Sequence, residues 1–185
     1  MVKRFLRQAE SDDFNDQVHK KLIAFLRVKK DVIWGLISLA EKHAQTLRTQ
    51  SQEYILCHSD IHAGNILIDA NGDLYIVDWD NPILAPKERD LMFIGGGQGF
   101  RGYSIHEEET LFYEGYGQTQ IDLVALAYYR YERIIQDTAV FCEHIFSCSG
   151  SGEDRKQSLR YLKSNFLPNR TLEIAFKADP AQQVK

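Results

Sequence analysis

The run His58-Ser59-Asp60-Ile61-His62-Ala63-Gly64-Asn65, followed by Asp78-Trp79-Asp80, holds the residue types and spacing that suit chemistry on phosphate. Phosphoryl transfer needs positioning and electrostatic stabilisation more than covalent participation by the protein. An Asp beside an acceptor hydroxyl orients it and takes its proton, and Asp60 lies on a loop placed for that role. Magnesium prefers oxygen donors and keeps several waters. Asn65 offers an amide carbonyl and Asp78 a carboxylate. Asp80 is expected on the same side as Asp78 by strand alternation, to bind the metal or brace the loop. Taken singly, each of these residues reads as a turn former or a cap. The joint pattern reads as a phosphotransfer site: apolar strand, H-x-D-x-x-x-x-N, apolar strand, Asn-Gly turn, apolar strand, D-x-D.

The two histidines of this run have other uses. His62 could act as a base or ligand, but carboxylates suit magnesium better than imidazole does. A loop-bracing hydrogen bond is the expected role of His62, and also of His58. Cys57 beside His58 makes a poor nucleophile pair, because neighbours on a strand face opposite ways. A buried, inert Cys57 is expected. His19, His43, His106 and His144 read as ordinary surface or core residues.

These residues must be positioned by their neighbours in the chain. Tyr54–Cys57 reads as a strand that delivers the loop. Ile66–Asp69 and Leu74–Val77 flank Ala70-Asn71-Gly72-Asp73, a strong hairpin signal that returns Asp78 beside Asn65. Pro82 and Pro86 mark an extended, turn-rich segment. Upstream, Phe14, Val18, Leu22, Phe25 and Leu26 predict a helix over Ser11–Lys30, capped by Ser11 or Asp12. Asp31 is expected to cap a second helix, with Ile33, Ile37, Ala40, Ala44 and Leu47 inward. Downstream, Ser104 to Glu107 fits a capping box for a helix to about Tyr116. Thr119 is expected to open a long helix to about Phe146, burying Leu123, Ala127, Tyr131, Ile134, Cys142 and Ile145. A loop over Ser147–Gly152, a helix over Arg155–Phe166, a short amphipathic piece and a frayed Ala178–Lys185 complete the reading. The class is α+β, mainly helical.

Composition narrows the function classes. The chain has 185 residues, 44% of them hydrophobic, which suits one domain with a real core. A formal net charge of -4 gives a nucleic-acid partner no electrostatic support. Cys57, Cys142 and Cys148 suggest a reducing compartment. No apolar run reaches membrane-spanning length, and Met1–Arg7 lacks the apolar stretch of a signal peptide, so a cytoplasmic location is expected. Gly97–Gly102 matches G-x-G-x-x-G, with Asp122 about twenty residues on, as in a dinucleotide fingerprint. It is read as a decoy, since no second βαβ unit accompanies it.

The segment His58–Asp80 resembles the catalytic segment of the aminoglycoside phosphotransferase family. That family is related to choline kinases and, more distantly, to protein kinases. Its motif runs H-G-D-x-H-x-x-N, with Ser59 here at the usual Gly. His62 and Gly64 favour the small-molecule kinases. The resemblance implies that Asp60 is the catalytic base, that Asn65 and Asp78 bind Mg2+, and that Asp90 supports the loop from behind. A helix cap is the plainer role for Asp90. The stretch Tyr128–Arg133 resembles the helical acceptor part of the family, particularly its spectinomycin-kinase-like branch. On its own that stretch is an amphipathic helix with i,i+4 charges.

The resemblance therefore implies the C-terminal lobe of a protein-kinase-like fold with a short catalytic hairpin. Leading helices occupy 1–50, the catalytic loop and metal-binding hairpin 54–94, and a helical acceptor subdomain 104–178. Lys29 and Lys30 fall on or beside helices, so an N-terminal nucleotide lobe is expected to be absent from this chain. Another chain carrying that lobe, or self-association, is left open as its partner. The implied activity is ATP-dependent transfer of the γ-phosphate to a hydroxyl of a small molecule. The alternative is a non-catalytic binding or regulatory module. Glu132, Asp137 and Glu143 could face a cationic acceptor, though solvated helix faces explain them more simply.

Overall fold

A computed structural model describes residues 1–11, 16–96, 103–147 and 152–183. In chain order it contains α1 (Val2–Ser11), α2 (Gln17–Arg48), β1 (Ile55–Cys57), a 3-10 turn (Ala63–Asn65), β2 (Ile66–Ile68), β3 (Leu74–Ile76) and β4 (Ile83–Ala85). Then follow α3 (Glu88–Leu91), α4 (Ile105–Tyr116), α5 (Leu123–Ser147), α6 (Gly152–Ser164), α7 (Thr171–Ala178) and α8 (Pro180–Gln183). The class is α+β and mainly helical. The expected Asp12 cap, Phe14, Cys148 and the Gly97–Gly102 motif lie outside the described residues.

The chain forms two compact units. The first comprises Met1–Lys42 and Tyr131–Glu173. Its helices follow from the sequence period. Val2, Phe5, Leu6 and Ala9 put one buried stripe on α1. No helix boundary exists at Asp31, because α2 runs straight through it. The reason is phase: buried Leu22, Leu26, Ile33, Ile37 and Ala40 continue one stripe, and Asp31 simply points to solvent. Tyr131, Ile134, Cys142 and Ile145 line α5, and Leu159, Leu162 and Phe166 are buried as expected. Phe5 stacks on Phe146 with centroids 5.4 Å apart. Two acidic residues on α5 have basic partners here: Asp137 with Arg133 at 2.9 Å and Glu143 with Arg4 at 2.6 Å.

The second unit comprises His43–Arg130 and Ile174–Lys185, and it holds all the motif residues. Here β2 and β3 form the expected hairpin, with Ile66, Leu67 and Ile68 opposite Ile76, Tyr75 and Leu74. Its turn is closed by Asp69, whose side chain accepts from Asn71 N (2.8 Å) and Asp73 N (2.9 Å). Gly72 supplies the left-handed residue, at φ 88°. Leu67, Ile68, Leu74 and Tyr75 are all exposed.

The Pro82–Pro86 segment is not merely turn-rich. It contains β4, antiparallel to β1, with Ile55, Leu56 and Cys57 opposite Ala85, Leu84 and Ile83. Both prolines lie outside the strand, so no ladder N–H is lost. The capping box at Ser104 and Glu107 is formed, and its hydrogen bonds hold the Glu107 carboxyl below its ordinary pKa. The long helix α5 starts at Leu123 and not at Thr119, because Asp122 is its cap. The Asp122 carboxylate accepts from Val124 N (2.9 Å) and Ala125 N (3.1 Å). Leu123, in the first turn, is exposed and not buried as expected.

The C-terminus is not frayed through 178–183. Asp179 is fully buried, meets His43 Nε2 at 2.9 Å and caps α8 through Ala181 N at 2.9 Å. Among the described residues no helix is long and apolar enough to cross a membrane.

Replacing Asp179 with Ala would leave a buried imidazole without this partner. Asp179→Ala is therefore expected to destabilise the protein by about 1–3 kcal/mol. Urea denaturation followed by circular dichroism checks this through a lowered midpoint with an unchanged slope.

Candidate active site

Where β1 ends, the backbone turns sharply. The N–H of His58 donates to Asp90 Oδ2 at 2.8 Å, and that of Ser59 to Asp90 Oδ1 at 2.7 Å. A change of backbone hand is one way to turn two successive N–H groups onto a single anion, and Ser59 is left-handed at φ 70°. Glycine adopts that conformation freely, whereas serine needs support. Ser59 has it, because its hydroxyl donates to Asn81 O at 2.7 Å.

His58 is buried and connects the loop to the exit of β3. Its Nε2 donates to Val77 O at 2.8 Å, and its Nδ1 accepts from Asp60 N at 3.3 Å. These two bonds together assign the neutral Nε2–H tautomer. Its ring also meets Trp79 edge-on, centroids 4.6 Å apart. Asn65 ties the same elements from the other side. Its Nδ2 donates to Asp60 O at 2.9 Å, and its backbone O accepts from Val77 N at 3.0 Å. With the nitrogen committed, the amide oxygen is the atom of Asn65 that suits a cation.

Asp78 leaves the strand in the left-handed region, at φ 68°, and is exposed. Alternation therefore stops before Asp78, and the argument that set Asp80 on the same side does not apply. Asp80 lies in an exposed bend. His62 caps the 3-10 turn, with Nδ1 accepting from Gly64 N at 3.0 Å. Its Nε2 stands 3.8 Å from Asp60 Oδ2, and its ring meets Phe93 edge-on at 6.1 Å. A Cβ on Gly64 would lie 2.8 Å from His62 Cε1, so this glycine makes room for the imidazole.

Hydrogen bonds thus connect His58, Ser59, Asp60, Asn65 and Asp90 directly, and the Val77 backbone leads to Asp78. The donor set fits magnesium. Among the described residues no three His, Cys, Asp or Glu side chains cluster to hold a metal alone. A carbonyl and a carboxylate that share an ion with substrate phosphates is the usual pattern for this metal. Cys57 is buried, and burial first, then the Asp90 charge, pushes its thiol up to about 11. Sequence reasoning missed Glu88, which is buried and accepts from Asp122 N at 3.0 Å. It also missed Phe93 and the buried Arg130. Two of these are charged residues on helices, a position that ordinarily signals a surface.

Two outcomes are expected. Ser59→Gly exchanges relief of backbone strain against a lost hydrogen bond, so its stability should stay within about 1 kcal/mol of the parent. Ser59→Val adds β-branching at positive φ and loses the bond, and should cost more than ~2 kcal/mol in the same denaturation assay. Separately, Cys57 and Cys142 should resist iodoacetamide at pH 8 in the folded protein and react after denaturation, as read by mass spectrometry. The second thiol is pushed up to about 12 by burial.

Comparison with known proteins adds three findings. Residues 3–123 match the model of a family described as the phosphotransferase enzyme family. A crystal structure of spectinomycin phosphotransferase, APH(9)-Ia, in complex with ADP and spectinomycin is similar at 41% identity and TM-score 0.83, over 96% of this chain and 54% of that one. The AMP-bound complex of spectinomycin phosphotransferase, APH(9)-Ia, is similar at 41% identity and TM-score 0.81, over 95% and 54%. The chain spans about half the length of these solved structures. No curated protein sequence matches it.

Proposed function

Because the chain belongs to the phosphotransferase enzyme family, we propose that it carries the catalytic part of an ATP-dependent small-molecule kinase. The reaction moves the γ-phosphate to a hydroxyl of an aminocyclitol-like or related small alcohol. The observation that carries this reading is the tied loop. Asp60 is held between Asn65 Nδ2 on its carbonyl and His58 Nδ1 on its N–H, while Asp90 fixes the backbone before it. The likeness to structures solved with ADP and spectinomycin, and with AMP, supports a nucleotide donor and an acceptor of that class.

In this reading Asp60 orients the acceptor hydroxyl and takes its proton. Asn65 and Asp78 hold Mg2+, which when bound neutralises phosphate charge. His58, His62 and Asp90 brace the loop, and Asp80 supports the metal side. The chain then corresponds to a kinase-like C-terminal lobe: leading helices over 1–50, the catalytic loop and hairpin over 54–94, and an acceptor part over 104–178. This reading calls for a nucleotide-binding lobe to complete the site around the donor.

Calorimetric titration with ATP, with and without magnesium, tests the site directly. Binding is expected to need magnesium and to be lost in Asp78→Ala. Asp60→Asn should keep that binding while lowering turnover of an aminocyclitol by about 10²–10⁴-fold. Unchanged turnover in Asp60→Asn would remove Asp60 as the base. Absence of both binding and turnover would mean that this polypeptide is an incomplete kinase by itself, and turnover still absent once a nucleotide lobe is supplied would favour a non-catalytic module.

A further inference from the structure

The segment from Glu88 to Ile94, which contains Asp90, is clasped at both ends by α5 and its cap. At its start, the Glu88 carboxylate accepts the Asp122 N–H at 3.0 Å. At its end, the Arg130 guanidinium takes two carbonyls, Met92 O from Nε at 3.1 Å and Ile94 O from Nη2 at 2.7 Å. Arg130 is only 6% exposed. Burying a guanidinium is costly, and an aliphatic side chain would fill this volume without that cost. What only Arg supplies is a planar fork that fixes two acceptors at once.

The residue between those two acceptors is Phe93. Its backbone is pinned on both sides, and its buried ring meets His62 edge-on at 6.1 Å and 70°. His62 in turn holds Gly64 N and stands 3.8 Å from the Asp60 carboxylate. The turn itself has little slack. Gly95 is left-handed at φ 62°, and a Cβ on Gly96 would lie 2.5 Å from Met92 O. Burial pulls the Arg130 guanidinium below its ordinary pKa, and the charges of Glu109 and Glu108 on α4 oppose that shift in part.

We infer that Arg130 is a positioning residue for the Asp60 loop, acting through Phe93 on His62; this rests on the reading of Asp60 as the base. The rival account makes Arg130 a helix-end clamp for α3 with no bearing on the loop. The two accounts differ in what His62 senses. Lysine keeps the charge but not the fork, and Phe93→Leu removes the ring without touching Arg130.

The test is the His62 Cε1–H resonance of this chain in ¹H–¹³C NMR, assigned with His62→Gln. The His19 resonance serves as a distant control. In Arg130→Lys, folded by circular dichroism, the His62 signal is expected to move by more than a linewidth while His19 stays in place. Phe93→Leu should move it as well, and the double variant should move it no further than Phe93→Leu alone. An unmoved His62 signal in folded Arg130→Lys, or a double variant that sums the two shifts, overturns the inference. Should Arg130→Lys not fold, an unmoved signal in Phe93→Leu overturns it independently.

Turnover separates this inference from the reading beneath it. A shift of about one ångström at a reacting group can cost ~10²-fold in rate. Phe93→Leu should therefore lower kcat by up to that factor and leave KM for ATP unchanged. A parent without turnover even when a nucleotide lobe is supplied, but with a responsive His62, would sink the kinase reading and leave the coupling standing.

Discussion

One carboxylate receives two consecutive backbone N–H groups, and the rest of the site follows from that geometry. Asp90 takes His58 N and Ser59 N at 2.8 and 2.7 Å, short enough for charge-assisted bonds. The convergence goes with a left-handed Ser59, and the turn it makes carries Asp60 away from the line of β1. With the backbone so fixed, the His58 ring reaches both Val77 O and Asp60 N. A loop and a hairpin exit, 19 residues apart in sequence, are thereby locked together. Without Asp90, the N–H groups of the buried His58 and Ser59 would lose their acceptor, at a cost of about 1–3 kcal/mol each.

Strain is concentrated where the function is proposed. Two of the non-glycine residues with positive φ, Ser59 and Asp78, flank the hairpin that joins the proposed base to the proposed metal ligand. Each conformation costs roughly 1–3 kcal/mol and persists because its surroundings determine it. For Ser59 those surroundings are Asp90 on the N–H and Asn81 O on the hydroxyl. At Ser59 the molecule recovers the conformational cost in hydrogen bonds.

Much of this was legible before any coordinates. Asn71-Gly72 between β-rich runs identified the hairpin, Ser104 and Glu107 identified a helix start, and the spacing of Asp60, Asn65 and Asp78 identified the candidate site. In each case a local rule acts within a few residues. What escaped were effects of partners distant in sequence. Nothing near Ile83 announces β4, because β1 is what makes it a strand. Asp31 looked like a cap until the stripe on either side was seen to be in phase. Asp179 looked like part of a loose tail because His43, its partner, lies 136 residues earlier. Alternation failed at Asp78 because it presumes an extended backbone, and Arg130 went unnoticed because helical periodicity treats arginine as a surface residue.

The hairpin also bears on how this polypeptide behaves at high concentration. Leu67, Ile68, Leu74 and Tyr75 stand in solvent on a two-stranded ribbon. Open edges with apolar side chains are templates for adding further strands, and soluble proteins ordinarily blunt them with charge. Here the charge is confined to the tip, where Asp69 and Asp73 act as gatekeepers for the turn and leave the sides unguarded. Colloidal stability therefore depends in part on a ribbon of five exposed apolar residues, Ile76 included, and a single Lys placed at Ile68 or Leu74 is expected to raise solubility.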